Sequence, residues 1–230
     1  RIDKEHVSNN NDLFVYDGIG ALDNLRITYK PSWPIDLIID RDSIQVYNEI
    51  MCVLLQVKRV KYNLDNLHQT IRNEILIIER KLFRHNVRHT ESGVLNYEQD
   101  TVYTPRDAQY KYHAHKYMLF IDELIHFTNN LHNYLIETCV YGTNTCSWDA
   151  VKEEIRHATS VDDIRLIHTK YLQTLKRHCL LDSRTKVISR QIRKILNVAL
   201  QCIGSIRRWH YLGCQDVEWE GDQVRYSQHV

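Results

Sequence analysis

The chain has 230 residues, of which 43% are hydrophobic, 10% are aromatic and 26% are charged. This apolar content can fill a buried core and excludes a chain that is mainly disordered. The 30 basic and 29 acidic residues leave a net charge of +1, which argues against a protein that binds nucleic acid through its bulk charge.

The numbers of turn residues and cysteines indicate the fold class and the cellular compartment. Seven glycines and three prolines are too few for the many turns of an all-β fold, so the composition predicts a mostly helical chain. The six cysteines never have the C-x-x-C spacing, which favours free thiols in a reducing compartment. The chain begins at Arg1 without a signal-like run, and its longest uncharged apolar stretch, 195–206, is too short to cross a bilayer. We therefore predict a soluble segment of a longer protein, with no membrane partner.

The first part of the chain predicts a lead-in, a small extended element and one long helical region. Residues 1–24 are polar and acidic and show no sustained period. Two β-prone runs, 25–29 and 35–39, follow on either side of a segment with two prolines, so they predict strands of a hairpin or an extended connection. A helical signal begins near 40–43 and continues to Leu82, as one helix or two collinear ones.

The middle of the chain predicts further helices. Residues 86–106 interrupt the period, and a second helix is predicted from Asp107 until glycine and asparagine stop it beyond residue 140. Ser147 and Ser160 each suit the N-cap of a shorter helix. Asp163, three residues after Ser160, predicts a weak capping box.

The last predicted helix covers 183–212, and a polar, acidic tail is predicted over 213–230. Its expected buried face consists of Val187, Ile188, Ile192, Ile195, Ala199, Ile203 and Ile206. Together these elements predict an all-α fold, an elongated antiparallel helical bundle with a small extended element near the N-terminus. The predicted domain division is a lead-in over 1–24, a helical domain over 25–212 and the tail.

The sequence offers no pattern typical of catalysis or metal binding. Of the 13 histidines, His113 and His115 point apart on a helix, and other pairs lack the additional ligands of a zinc site. Neither a nucleophile elbow nor a phosphate-binding lysine is present, and Gly18 and Gly20 are better explained by a turn. Cys179 falls on an apolar stripe. We predict no catalytic residue, no metal, no cofactor and no enzymatic activity.

The charge distribution is locally uneven. From Ser183 to Trp209 there are seven basic residues and no acidic one: Arg184, Lys186, Arg190, Arg193, Lys194, Arg207 and Arg208. A solvated helix face explains this bias most simply. A docking surface for an acidic protein or for nucleic acid is the alternative.

Several ordered motifs resemble one family. The run Leu25–Ile39, with its Trp33–Pro34 pair, is followed by Tyr47–Ile50 and Leu54–Arg59, and this order is similar to that of the gamma-tubulin complex protein family. Four more matches follow in the family's order: Leu131–Tyr134, Ile167–Leu172, Cys179–Leu181 and Ile195–Leu200. The resemblance covers about residues 25–205. It departs from the family in the polar residues 213–230, where a further apolar helix is usual, and in a shorter 86–106 region.

The resemblance implies the all-helical second, C-terminal Grip domain, which in this family binds gamma-tubulin. It implies a non-enzymatic subunit of the gamma-tubulin ring complex that positions gamma-tubulin for microtubule nucleation at organizing centres. The implied partners are gamma-tubulin, other gamma-tubulin complex components and, indirectly, the microtubule minus end, with no nucleic acid expected. The implied location is the cytoplasm and cytoskeleton, at the centrosome or another organizing centre.

Gamma-tubulin is expected to be acidic, which gives the basic helix faces a use. The residues that we predict to contact it are Tyr29, Trp33, Arg59, Arg106, Arg190 and Arg193. For Trp33 a core anchor between the extended element and the first long helix is an equally good interpretation. Two other hypotheses remain: a basic-faced helical module that binds nucleic acid or another anionic surface through 183–209, and a metal-dependent enzyme that uses the histidines.

Overall fold

A computed structural model gives the fold and describes residues 18–90, 103–141 and 148–214. Within those ranges all regular structure is helical and no residue lies in a strand, which confirms the all-α class. The described α-helices are α1 (Arg41–Thr90), α2 (Pro105–Ile136), α3 (Trp148–Arg156), α4 (Val161–His178) and α5 (Lys186–Cys214). Short 3-10 helices cover Ile19–Leu22, Ile35–Leu37 and Ser183–Thr185, and a π-helical segment, Glu137–Tyr141, follows α2. No helix in this part of the chain is both long and apolar enough to span a bilayer.

The predicted extended element before α1 is not supported, because no strand or hairpin forms in the described residues of that region. Leu25–Tyr29 has no regular structure, and the second β-prone run begins with the 3-10 helix Ile35–Leu37. The backbone N–H of Ile27 donates to the side chain of Asn48 at 2.6 Å, and its carbonyl accepts from the same side chain at 3.1 Å. Ser32 offers its carbonyl to the first N–H of the 3-10 helix at 2.8 Å. Because a side chain and a turn satisfy these backbone groups, no strand partner is needed.

The chain divides into two compact units. The first unit consists of Arg1–Lys61 with Phe127–Gln201, and the second of Tyr62–His126 with Cys202–Val230. The first unit therefore contains α3, α4, the beginning of α1 and most of the motifs that resemble the family. It is also the unit that holds five of the six predicted contact residues, since only Arg106 lies in the second.

The core of the second unit consists of apolar stripes along the predicted helices. Leu64 and Ile71 of α1 and Ile121 of α2 have no exposed surface, and other buried members are Leu67, Ile75, Ile78, Ala114, Ile203 and Ile206. Their spacing of three and four residues places them on one face of each helix. Lys111 and Glu79 form an ion pair at 2.8 Å within the same unit.

The core of the first unit corrects the prediction for α5. Val187, Ile188 and Ile195 were expected to be buried, but they are exposed by 65%, 54% and 42%. Of the predicted face, Ala199 is buried in this unit, and Leu196 and Leu200 are buried beside it. The other helices contribute Val57, Val60, Leu135, Leu172 and Leu175, and Cys179 is buried at the C-cap of α4. The first half of α5 is apolar on more than one side, so its period does not decide which side is buried.

The helix ends follow local capping chemistry. Asp40 accepts a hydrogen bond from the Ser43 N–H at 2.8 Å and so caps α1 within the predicted starting region 40–43. Two reciprocal hydrogen bonds between Thr104 and Asp107 cap α2, which begins at Pro105 because proline suits the first helical position. The predicted interruption at residue 86 is wrong, since α1 continues to Thr90. Several predicted features lie outside the described residues. They are most of the lead-in (1–17), the loop over 91–102, the predicted end of the second helix with the Ser147 cap, and the tail from 215.

The N-cap of α4 offers a test of these signals. Ser160 accepts from the Asp163 N–H at 3.1 Å, and the Asp163 carboxylate accepts from the Ser160 N–H at 3.0 Å, which confirms the predicted capping box. Because this cap pairs N–H groups that the helix leaves open, Ser160→Ala should lower the free energy of unfolding by about 1 kcal/mol. Chemical denaturation measures the change. Ser205→Ala, at an exposed position of α5, is the control, and an equal loss in both variants would contradict the cap.

Candidate functional site

A turn at residues 18–23 is attached to the first unit by side chains of α1 and α5. Arg193 and Asp23 form an ion pair at 2.6 Å, and the amide of Gln56 donates to the same aspartate at 2.8 Å. The side chain of Asn197 accepts from the Ile19 N–H at 3.2 Å, and Ile19 is buried. A Cβ at Gly18 would lie 2.9 Å from the Asn197 oxygen, so glycine is required at that contact. The glycine pair thus belongs to a turn, as predicted.

Asn48 fixes the next part of the segment. Besides its two hydrogen bonds to Ile27, its side-chain amide donates to the Ile44 carbonyl at 3.0 Å, one turn earlier in α1. Asn48 is buried, with 7% of its surface exposed, so its polar atoms depend on these partners. The Asn48 side chain therefore makes the two backbone hydrogen bonds that a neighbouring strand would make, and it holds Ile27 against α1.

The segment 25–37 presents large apolar side chains to solvent. Trp33 is 79% exposed, Ile27 is 56% exposed and Tyr29 is 53% exposed, and Leu25, Ile35 and Leu37 are also exposed. The core-anchor interpretation of Trp33 is therefore wrong. Apolar side chains that are exposed together along an anchored segment are typical of a protein interaction site. Aromatic residues contribute most to such interfaces, because they combine a large apolar surface with few rotatable bonds.

An open groove of about 640 Å³ lies beside Tyr29. Its lining includes Arg26 and Arg41 together with the apolar side chain of Ile44. The lining acid, Glu49, is already paired with Lys176 at 2.7 Å. Burial opposes its ionisation, but the hydrogen bond from Lys176 keeps the pKa of Glu49 below its ordinary value. The groove therefore offers guanidinium groups beside an apolar wall.

A basic face lies along the first half of α5. Lys186, Arg190 and Lys194 are exposed, and they line one shallow depression together with Arg193. Arg193 is the member that is engaged within the unit, through its ion pair with Asp23. The exposed charges of this face are screened by solvent and attract acidic partners over about 8 Å at physiological salt.

The structure divides the predicted contact residues into separate groups. Tyr29 and Trp33 share the exposed segment, while Arg190 belongs to the basic face of α5. Arg59 and Arg193 instead serve the turn at 18–23, since Arg59 approaches the Gly18 carbonyl at 3.4 Å. Arg106, the remaining predicted contact residue, lies in the second unit. It is exposed and directly follows Pro105 at the start of α2.

Sequence reasoning missed the amide side chains that hold the segment. Asn48, Gln56 and Asn197 fall inside motifs that resemble the family, but no role was assigned to them. A signal was present, because Asn48 and Gln56 occur at buried positions of an otherwise apolar helix face. A buried amide must find hydrogen-bond partners, so such positions predict attachment of a neighbouring backbone or side chain.

A histidine in α4 is linked to α1. His168 Nε2 lies 2.9 Å from the Tyr47 hydroxyl, and its Nδ1 is buried with no hydrogen-bond partner. Burial lowers the pKa of His168 below its ordinary value, while the charge of Asp40 acts weakly in the opposite direction. A proton on Nδ1 would be placed where no acceptor is present. The folded protein therefore prefers the neutral imidazole.

This preference predicts an acid-sensitive stability. Because the folded pKa of His168 is depressed, its contribution is complete above about pH 6.5 and is lost as the pH falls below that value. Carboxylates with lowered pKa, such as Glu49, lose theirs only at more acidic pH. Just below about pH 6.5, His168→Gln should therefore flatten the dependence of the unfolding free energy on pH. A slope in His168→Gln equal to that of the unchanged chain would contradict the assignment.

These features define a class of protein. The described residues form a non-membrane-spanning helical module whose distinctive surfaces are an anchored apolar segment and a basic helix face. In the same ranges, no three side chains among His, Cys, Asp and Glu form a group that could hold a metal ion.

Comparison with known proteins identifies the family. The family described as "Gamma tubulin complex component C-terminal" matches residues 1–224, and the chain belongs to it. This confirms the resemblance that the motifs indicated. Within the family, the motifs at 33–36, 131–134 and 196–197 favour gamma-tubulin complex component 5.

The relatives are much longer than this chain. It is 30% identical over 184 residues to gamma-tubulin complex component 5 of Macaca fascicularis and 29% identical over 184 residues to component 5 of Mus musculus. Its identity to gamma-tubulin complex component 3 of Homo sapiens is 23% over 189 residues. These alignments cover 79%, 79% and 82% of this chain, but only 23%, 17% and 18% of the respective relatives.

Proposed function

We propose that the chain is the gamma-tubulin-binding part of a non-enzymatic subunit of the gamma-tubulin ring complex. In this role it holds gamma-tubulin in position for microtubule nucleation at the centrosome or another organizing centre. Its partners are gamma-tubulin and other components of the complex. Family membership supports the complex, since each relative is named as a gamma-tubulin complex component.

The anchored apolar segment is the observation that carries the proposal. Trp33 and Tyr29 are held outside the core by a backbone that Asn48 and Gln56 attach to α1, directly or through Asp23. A segment that is ordered before binding loses less conformational entropy when the partner arrives. A template for nucleation needs the same property, because it must present its bound subunit in one orientation.

The basic face of α5 supplies the electrostatic attraction in the proposed binding of gamma-tubulin. Lys186, Arg190 and Lys194 have no acidic neighbour on α5, and Arg26 and Arg41 line the groove beside Tyr29. A partner with acidic side chains would be attracted to this unit and would bind the more slowly at higher salt. The exposed apolar segment would then supply most of the affinity.

Charge reversal tests this assignment. Arg190→Glu combined with Lys194→Glu should weaken binding of purified gamma-tubulin by about tenfold and reduce its salt dependence, because both side chains are exposed. Arg193→Glu is avoided, since it would also break the ion pair with Asp23. Lys170→Glu with Arg177→Glu is the matched control on exposed positions of α4. Equal binding by both double variants and the unchanged chain would contradict a role of the basic face of α5 in binding.

The same basic face favours a second candidate, a module that binds nucleic acid or another anionic surface. That function predicts retention on heparin that falls steeply with salt and is lost in the Arg190→Glu, Lys194→Glu variant. It predicts no dependence on Trp33. Binding of an oligonucleotide at physiological salt, together with no binding of gamma-tubulin, would favour this candidate over the first.

A further inference from the structure

Two cysteines of the first unit lie in direct contact. The Sγ atoms of Cys139 and Cys179 are 3.2 Å apart. Cys139 belongs to the π-helical segment Glu137–Tyr141, and Cys179 is the C-cap of α4, so 40 residues of chain separate them. Cys139 is half-buried and Cys179 is buried. One sulfur can therefore meet a solvent-borne reagent while the other is protected behind it.

The backbone around both cysteines is fixed by hydrogen bonds. The Tyr134 hydroxyl donates to the His178 carbonyl at 3.0 Å and so joins the end of α2 to the end of α4. Next to Cys139, the buried Thr138 hydroxyl donates to the Tyr134 carbonyl at 2.7 Å. After Cys179, the chain closes α4 with a hydrogen bond from the Leu181 N–H to the Lys176 carbonyl at 3.0 Å. The contact between the sulfurs is thus built into the fold of the unit.

We propose that Cys139 and Cys179 are a reversible disulfide site that reacts with peroxide. A disulfide bond requires the two sulfurs to approach by about a further 1 Å, which rotation of the two side chains can supply. Disulfides in reducing compartments are mostly transient and redox-sensing, so the site is a modification site and not a permanent cross-link. Neither the proposed function nor gamma-tubulin is needed for it.

The chemistry balances with hydrogen peroxide as the oxidant. The Cys139 thiol first loses its proton, and the thiolate attacks one peroxide oxygen, so that the O–O bond breaks and a sulfenic acid and hydroxide form. The released proton converts this hydroxide into water. The sulfur of Cys179 then attacks the Cys139 sulfur, the S–O bond breaks, and the hydroxyl leaves as water with the thiol proton. In sum two thiols are oxidised to one disulfide, and one peroxide is reduced to two waters.

Among the described cysteines, the pair Cys139 and Cys179 has the environment that most favours this reaction. The hydrogen bond with Cys179 lowers the pKa of the Cys139 thiol, which favours the reactive thiolate. Burial and the neighbouring Asp23 carboxylate raise the pKa of the Cys52 thiol, which disfavours it there. Cys202 is half-buried and provides a comparison of similar exposure.

Peroxide treatment of the whole purified chain tests the proposal. Non-reducing digestion and mass spectrometry should find one dominant linked pair, Cys139 with Cys179, and dithiothreitol should restore both thiols. The midpoint of thermal unfolding should rise by several degrees on oxidation, since the bond closes a long loop of the unfolded chain. Cys139→Ser should abolish the link and the shift, and Cys52→Ser should leave both unchanged.

A second measurement keeps the proposal falsifiable if the serine variants fold poorly. In the unchanged chain, peroxide treatment followed by quenching and denaturation should show that Cys139 and Cys179 become unavailable to alkylation together and at the same rate. The proposal is overturned if Cys52 and Cys202 are oxidised while Cys139 and Cys179 stay alkylatable. It is also overturned if Cys139 proceeds to higher oxides without linking to Cys179.

Discussion

Replacement of Asn48 by aspartate is expected to lower the free energy of unfolding by about 2–3 kcal/mol. The amide of Asn48 donates to the carbonyls of Ile27 and Ile44, and its oxygen accepts from the Ile27 N–H. Aspartate has the same shape but no donor, so Asn48→Asp would bring a carboxylate against two carbonyl oxygens at a buried position. The segment before α1 should then separate from the helix.

Hydrogen exchange and denaturation measure this effect together. The Ile27 amide should lose its protection in Asn48→Asp, and amides in the second unit near Leu64 should keep theirs. Asn66→Asp is the matched control, because it makes the same chemical change at an exposed position of the same helix. An Asn48→Asp protein with native protection at Ile27 would show that the segment is held by something other than this side chain.

Replacement of Trp33 by alanine is expected to reduce affinity for gamma-tubulin by at least about tenfold without unfolding the chain. The side chain is 79% exposed, so its removal leaves no cavity in the core. Under the proposed function it is an aromatic anchor of the interface, and truncation of such anchors has the largest effects on binding. The loss should appear mainly as faster dissociation.

Phe83→Ala provides the control for Trp33→Ala. Phe83 is an aromatic side chain with 70% exposure, and it lies in the second unit. Its removal should leave both the thermal midpoint and the affinity close to those of the unchanged chain. If Trp33→Ala lowers the thermal midpoint by many degrees, Trp33 has a structural role, and any loss of binding would not identify an interface.

The helices were predictable because the apolar residues that they bury recur with the helical period. In α1 one stripe of apolar residues recurs every three or four positions, and its members are buried: Val60, Leu64, Leu67, Ile71, Ile75 and Ile78. The buried side of α5 could not be obtained in the same way, because Ile188 and Ile195 continue the apolar period on a side that stays exposed among the described residues. A pattern of hydrophobicity shows that a helix is amphipathic, but the packing of the whole unit decides which apolar side is used.

The candidate site was less predictable than the fold. Trp33 and Tyr29 were identified through the family motif, but composition could not show that they lie outside the core. Arg193 was chosen for its charge, whereas its nearest acid, Asp23, is 170 residues away in sequence and cannot be paired with it from spacing. The same holds for Asn48, since its main partner, Ile27, lies in a segment whose β-propensity favoured strand pairing instead.

Binding of purified gamma-tubulin to the folded chain tests the central claim most directly. A titration followed by fluorescence anisotropy should saturate at one gamma-tubulin per chain, and the affinity should fall in Trp33→Ala and in the Arg190→Glu, Lys194→Glu variant, but not in Phe83→Ala. A folded, monodisperse chain that binds no gamma-tubulin at micromolar concentration would contradict the account.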